Sequence, residues 1–355
     1  MDAISATNTA LRHPRRVKED NTLISVLLLG FFERLTWEGL SSVQSWKHHI
    51  QGSAQVLQLR GRDQIRTRSG AALFREHRGH IVTNALWTET DVPEYVVQWT
   101  QALGFDPMQT PGDQLVVLAA RVALLRKRFK TNESTDELLA EEGTRLEEDL
   151  LGWSENTLAA GSVCSFYNIR DPDSPHSWNG TRHEYGIPQA HRSWNMWRVL
   201  RILLSRTLEA IWRRSWPVLV QPSQPIPDSE HYKQIRSRMT ADICVAAAYA
   251  FGSDNSVEPP KGSISSGYLL VLPLAVAGTC LLEILAEPAI SPGGTRLILL
   301  NEPRHIDPFN QTSTQLAWLI DRTDYISDRI GIQWATAMSK FLKGGYHLYY
   351  DLGRS

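Results

Sequence analysis

From Asn21 onward the apolar residues return at helical intervals. Leu23, Val26, Leu27, Gly30 and Phe31 sit three, four, seven and eight positions along from the first, one broad stripe of a 3.6-residue helix. Ile50, Ala54 and Leu57 repeat the spacing within SWKHHIQGSAQVLQLRG, Ser45 to Gly61. Leu73, Phe74, Ile81 and Leu86 follow a helix-start signal at Thr67. Pro93 is placed to open another helix, and Pro107 and Pro111 punctuate the chain before a strong segment from Gln114 to Lys130. Ser134, with Glu137 three positions on, offers a capping box for a helix carrying Leu139, Leu146 and Leu150. Trp197, Leu200, Leu204, Leu208 and Ile211 mark a helix that Pro217 stops, and further helical patterns cover 229–251, 267–286 and 312–348. Period-two alternation is scarce. The pattern predicts an all-α fold, one large domain over residues 21–355 with about ten helices.

Three stretches stand outside that pattern. Residues 1–20 are polar and basic and read as a flexible leader, with Arg12, Arg15, Arg16 and Lys18 a solvated cluster in preference to a nuclear-import patch. Residues 162–192 are rich in Pro, Asp, Asn, Gly and His and read as an irregular loop. Pro222, Pro225 and Pro227 make 217–228 a Pro-rich linker.

Composition narrows the function classes. The chain has 355 residues, 42% hydrophobic and 21% charged, with a net charge of −1, so no electrostatic footprint for nucleic acid or membrane emerges from the chain as a whole. The span Ser263 to Leu282 carries no charge and is long enough to weigh as a membrane helix. Pro273 and Gly278 interrupt it and no basic cluster flanks it, so a buried core helix and no membrane contact are expected. Cys164, Cys244 and Cys280 are too few and too widely spaced for a disulfide framework or a CxxC-type zinc site, which fits an intracellular setting. The N-terminus lacks the apolar run of a secretory signal, and the sequons at Asn132, Asn179 and Asn310 read as chance matches.

Catalytic signatures are missing. His48 and His49 are adjacent, so on a helix they diverge by about 100° and cannot share one metal. His77 and His80 have i, i+3 spacing without an HExxH context, and His176, His183 and His191 are scattered through the loop. GSISSG, Gly262 to Gly267, has the wrong spacing for a nucleophile elbow, and no phosphate or dinucleotide fingerprint occurs. These readings assign no catalytic residue, no metal ligand and no cofactor, and leave cofactor-binding residues unknown. Charge patterning is more pronounced: Arg121, Arg126, Lys127, Arg128 and Lys130 close one helix, and Glu133, Asp136, Glu137, Glu141, Glu142, Glu147, Glu148 and Asp149 make the next acidic. Both arrangements suit helix dipoles and solvated faces, with coactivator recruitment by the acidic segment the sharper alternative.

Several segments then form a family likeness. DNTLISVLLLGFFE (Asp20 to Glu33), SWKHHIQGSAQVLQLRG and TRSGAALFREHRGHIV (Thr67 to Val82) resemble the central homology region of fungal-specific transcription factors, the helical regulatory part attached to a two-zinc, six-cysteine DNA-binding cluster. AHRSWNMWRVLRILL (Ala190 to Leu204), RMTADICVAAAYAFG (Arg238 to Gly252), GYLLVLPLAVAG (Gly267 to Gly278) and RIGIQWATAMSKFL (Arg329 to Leu342) resemble later segments of that region in the same order. The likeness spans roughly residues 20–345. It implies that Ile50, Ala54 and Leu57 are core, His49 a packed or capping side chain, and Gly61 a left-handed helix stop. It implies no catalytic residues.

The three cysteines all fall inside the helical region, so this chain offers no zinc cluster and no DNA reading of the family type. The resulting expectation is a nuclear, non-enzymatic regulator acting through a zinc-cluster transcription factor, a coregulator, a second copy of itself, or a small-molecule effector held among the helices. Missing upstream packing partners would leave Leu27, Phe31 or their neighbours in an apolar patch. The alternatives are an incomplete gene model of a full zinc-cluster factor and a metabolic enzyme using the histidine-rich stretch 176–191.

Overall fold

The computed structural model describes residues 2–36, 40–159, 163–215, 229–251, 263–286 and 311–344. Among them lie twelve α-helices and one two-stranded sheet, so the fold is largely all-α. The two helices beyond the expected ten come from the leader and from a break in the last pattern. The chain divides into two compact units, Met1–Ser134 and Thr135–Ser355, where one domain was expected. The expected linker 217–228 lies outside the described residues.

The first unit contains α1 (Asp2–Arg12), α2 (Asp20–Leu35), α3 (Leu40–Arg60), α4 (Arg68–Thr88), α5 (Glu94–Gln101) and α6 (Thr110–Thr131), with 3-10 turns at Arg16–Lys18 and Arg62–Arg66. The segment expected as a flexible leader forms α1 and a 3-10 turn: Thr7 and Ala10 are buried, and Val17 joins a core of Leu23, Val56, Leu57, Phe74 and Trp99. One valine amid cations anchors the segment, a signal too small for a periodicity window. At the end of α3 the Gly61 N–H donates to the carbonyls of Leu57 (3.2 Å) and Gln58 (3.0 Å). Gly61 has φ 78° and ψ 172°, so the stop is glycine-only backbone but not the left-handed helical cap expected. Ile50 and Leu57 are core and Ala54 is half-buried. Thr67 does cap α4, its hydroxyl accepting from the Gly70 N–H at 3.1 Å, and Pro93 precedes α5. The basic end of α6 meets acids at the exit of α4: Arg126 and Lys130 on Glu89 (2.9 and 3.0 Å), and Lys127 on Asp91 (3.3 Å).

The second unit runs α7 (Asp136–Ala159), β1 (Phe166–Arg170), β2 (Thr181–Tyr185), α8 (Pro188–Ser215), α9 (Ser229–Phe251), α10 (Ser263–Ala286), α11 (Gln311–Asp328) and α12 (Gln333–Leu342). No bond of the capping box expected at Ser134 is found among the described residues: α7 begins at Asp136, the Leu139 N–H bonds the Thr135 carbonyl at 3.1 Å, and the Ser134 hydroxyl accepts from Arg128. Acids of α7 are partnered within the unit, Glu147 by Arg201 at 3.0 Å and Asp136 by Arg214.

The stretch expected as an irregular loop holds an antiparallel hairpin, with Phe166 opposite Tyr185 and Arg170 opposite Thr181. Its turn is Asn179-Gly180, both at positive φ (51° and 68°), flanked by the Trp178–Thr181 bridge. That dipeptide is the residue pair a tight primed turn requires. The likeness to a membrane span resolves as expected: α10 packs against α8, α9, α11 and α12, and Leu270, Val271, Leu274 and Ala277 are fully buried. Burial of each such leucine stabilises by about 2 kcal/mol. The 312–348 pattern breaks at Gly331, whose φ is 84°, and buried Ile330 and Ile332 pin the break.

Candidate functional site

The sequence-flagged histidines separate into different environments. His48 is exposed; His49 is half-buried against α2, so close that a Cβ on Gly30 would lie 3.2 Å from the His49 Cβ. Burial lowers its pKa, partly opposed by Glu33. His77 is fully buried with Nδ1 3.4 Å from the Ser53 hydroxyl, and burial pushes its pKa down to about 3. His80 lies 3.6 Å from Glu76. Neither pair converges, and among the described residues no group of three potential metal ligands forms. Cys164, Cys244 and Cys280 are buried thiols, and burial raises the pKa of Cys244 to about 12.

The three histidines of the hairpin region are drawn to arginines that sequence reasoning missed. Arg198 of α8 has no solvent exposure. Its Nη1 donates to the Tyr185 hydroxyl and to Asn195 Oδ1, each at 3.0 Å, and its Nη2 to His183 Nδ1 at 3.1 Å. A guanidinium only donates, so His183 must be neutral with Nδ1 as acceptor. The same bond orients Asn195: with Oδ1 committed to Arg198, its amide nitrogen faces His191 Nε2 at 2.9 Å, and His191 is neutral too. Burial, then the Arg198 charge, depress both, to about 2 for His183 and about 3 for His191. His176 is separate. Its Nδ1 accepts from Arg322 of α11, amid Phe251 and Tyr325, and its pKa falls to about 4 by burial and then the Arg322 charge. A signal for this network existed: His191, Asn195 and Arg198 follow one another at i, i+4 and i+7 on one face of α8, all three buried. These groups bond to one another and to buried neighbours, while the Nε of Arg198 and of Arg322 has no hydrogen-bond partner among the described residues.

Among the described residues each unit has a concavity open to solvent. In the first unit a cleft of about 560 Å³ between α1, α2 and α3 is lined by Ile4, Leu11, Val26, Phe32 and Leu59, with Glu33, His48 and His49 as its titratable groups. Beside it Ile24, Leu28 and Phe32 form an exposed stripe at i, i+4 and i+8 of α2, the last two 60% exposed. Leu27 and Phe31, expected in such a patch, are half-buried, and their neighbours carry it. In the second unit a cleft of about 680 Å³ lies between α8, α9 and α10, with Ala210, Cys280 and Ile284 on its wall and a charged rim. No protein-family model, curated protein or solved structure matches the chain.

Proposed function

We propose that the chain is a helical regulatory module of the fungal transcription-factor type, acting in the nucleus through a protein partner or a bound effector and not through DNA or catalysis. The observation that carries the proposal is the ordered run of family-like segments from Asp20 to Leu342. Two features are consistent with it. The histidines that could have served an enzyme are held neutral by Arg198 and Arg322. An exposed apolar stripe on α2 offers a partner surface of the kind that an amphipathic groove-binding interaction uses.

The test is co-purification of a zinc-cluster protein with the tagged full chain from nuclei, repeated with Leu28→Glu and Phe32→Glu together. Recovery of such a protein by the parent chain and its loss with the double variant is the expected result. A cytoplasmic chain, or recovery of a zinc-cluster protein unaffected by the double variant, refutes the proposal or its assigned surface respectively.

A further inference from the structure

The division after Ser134 also divides the charge. Residues 1–134 hold 17 Lys and Arg against 13 Asp and Glu, a net +4, and residues 135–355 hold 20 against 25, a net −5. In the first unit the excess collects at one end. The 3-10 turns Arg16–Lys18 and Arg62–Arg66 flank one core, since Val17 and Ile65 both pack into the cluster that holds Leu57, and Asp20 ties the two spans together by accepting from Arg60. Spans 12–20 and 60–68, every residue of which is described, carry eight cations against three acids. Arg60 is paired with Asp20 and Arg66 with Asp63. The other six, Arg12, Arg15, Arg16, Lys18, Arg62 and Arg68, are exposed and form no ion pair among the described residues. The backbone beneath them is fixed: His13 Nδ1 accepts from the N–H of Arg15 and of Arg16, each at 3.3 Å.

The second unit carries the opposite face. Glu137, Glu141, Glu148 and Glu155 are exposed, and their intervals of four, seven and seven residues keep them on one face of α7. Glu141 pairs with Arg145 one turn on, and the other three form no ion pair among the described residues. Leu151 and Leu158, 38% and 46% exposed, border the same face. The chain thus presents an unpaired basic surface on one unit and an unpaired acidic surface on the other.

We propose that copies of this chain associate, the basic end of the first unit in one copy docking on the acidic α7 face of another. Each copy supplies both signs in nearly equal amount, so pairing copies leaves little charge unmatched. What a nucleic acid or a membrane would require is missing: spans 12–20 and 60–68 hold no Phe, Tyr or Trp to stack on a base, and no exposed large hydrophobic residue to enter lipid. Exposed ion pairs are individually weak, so the contact draws on several at once and fades as salt screens them. It joins unlike faces: copies that meet reciprocally close as a pair, and copies that do not extend as a chain.

The experiment is sedimentation equilibrium of the full chain, at protein concentrations up to about 200 μM, in about 0.1 M and about 1 M salt. The weight-average mass is expected to rise above 40.1 kDa with concentration at the lower salt and to stay at 40.1 kDa at the higher. Two double variants, Arg15→Glu with Arg16→Glu and Glu148→Lys with Glu155→Lys, change exposed side chains only, and each alone should weaken association at least tenfold. Each keeps one native face, so their equimolar mixture retains one intact contact and should be heavier than either variant alone, a recovery that misfolding of either would prevent. A parent chain at 40.1 kDa throughout, association that persists at about 1 M salt, a variant that associates like the parent, or a mixture no heavier than its components overturns the proposal. A parent that stays monomeric yet binds a short DNA duplex through Arg15 and Arg16 overturns it too, and gives the basic end to nucleic acid. The nuclear co-purification turns on Leu28 and Phe32 instead, so the two proposals fail separately.

Discussion

Lowering the pH from 7 to 5 should destabilise the second unit through its three neutral histidines. His176, His183 and His191 have folded pKa values of about 4, 2 and 3. In the unfolded chain a histidine titrates near 6.5, so as pH falls the unfolded state takes up protons that the folded state refuses. Stability from these groups is full above about pH 6.5 and is lost as pH falls below it, reaching its limit for each group near its own folded value. At pH 5 the cost is about 2 kcal/mol per histidine, roughly 6 kcal/mol in all, against a whole-domain stability of about 5–15 kcal/mol. Asp242 works the other way: burial raises its pKa, so its protonation in the folded state returns part of the loss. Urea unfolding followed by hydrogen exchange of α8 and α9 peptides measures the unit at both pH values. His191→Gln should shrink the pH 7-to-5 difference by about 2 kcal/mol whatever it does at pH 7. A variant with the same difference as the parent, within about 0.5 kcal/mol, would refute the neutral relay from Arg198 through Asn195 to His191.

Three substitutions probe the local geometry. Gly70→Ala would put a Cβ 2.0 Å from the Gln64 carbonyl oxygen, so the start of α4 must move, and denaturant unfolding should show a loss of at least about 2 kcal/mol. Thr67→Ala removes the hydroxyl that caps the same helix and should cost about 1 kcal/mol in the same assay. Gly180→Ala places a side chain at φ 68° in the hairpin turn, within 3.3 Å of Pro172, and should lower the second unit's stability by about 1 kcal/mol with the near-ultraviolet signal of its aromatic residues intact.

Helices whose apolar faces are continuous were legible from residue spacing alone. The stripe at Leu23, Val26 and Leu27 and the one from Trp197 to Ile211 both fall on single helices, and α10 is the buried helix its Pro and missing basic flanks imply. Local chemistry was legible where one side chain meets its own neighbours, as at Thr67 and Pro93. The hairpin was missed because single inward residues, Phe166, His183 and Tyr185, alternate over too few positions to show a period, although Asn179-Gly180 marked its turn. The division after Ser134 coincides with the switch from the basic end of α6 to the acidic start of α7, a pattern that helix dipoles explain equally well and that therefore did not mark a boundary. The Arg198 part of the arginine network left a trace in the spacing of His191, Asn195 and Arg198, but the pairing of His176 with Arg322, 146 residues apart, depends on convergence that spacing does not carry.

That separation has a consequence for the order in which the protein is made. Among the described side-chain bonds of the first unit, the widest span is 40 residues, as between Asp20 and Arg60, so its latches can close soon after their segments leave the ribosome. The hairpin of the second unit emerges early and waits. His183 finds Arg198 15 residues on and His191 finds Asn195 4 residues on, but His176 stays without its donor until α11 has been synthesised. Throughout that interval the aromatic side chains of Phe251 and His176 lack the Tyr325 edge that later covers them. Slow translation of the last third of the chain would prolong that window, and it is there that chaperone capture, or premature association with another copy, has its opportunity.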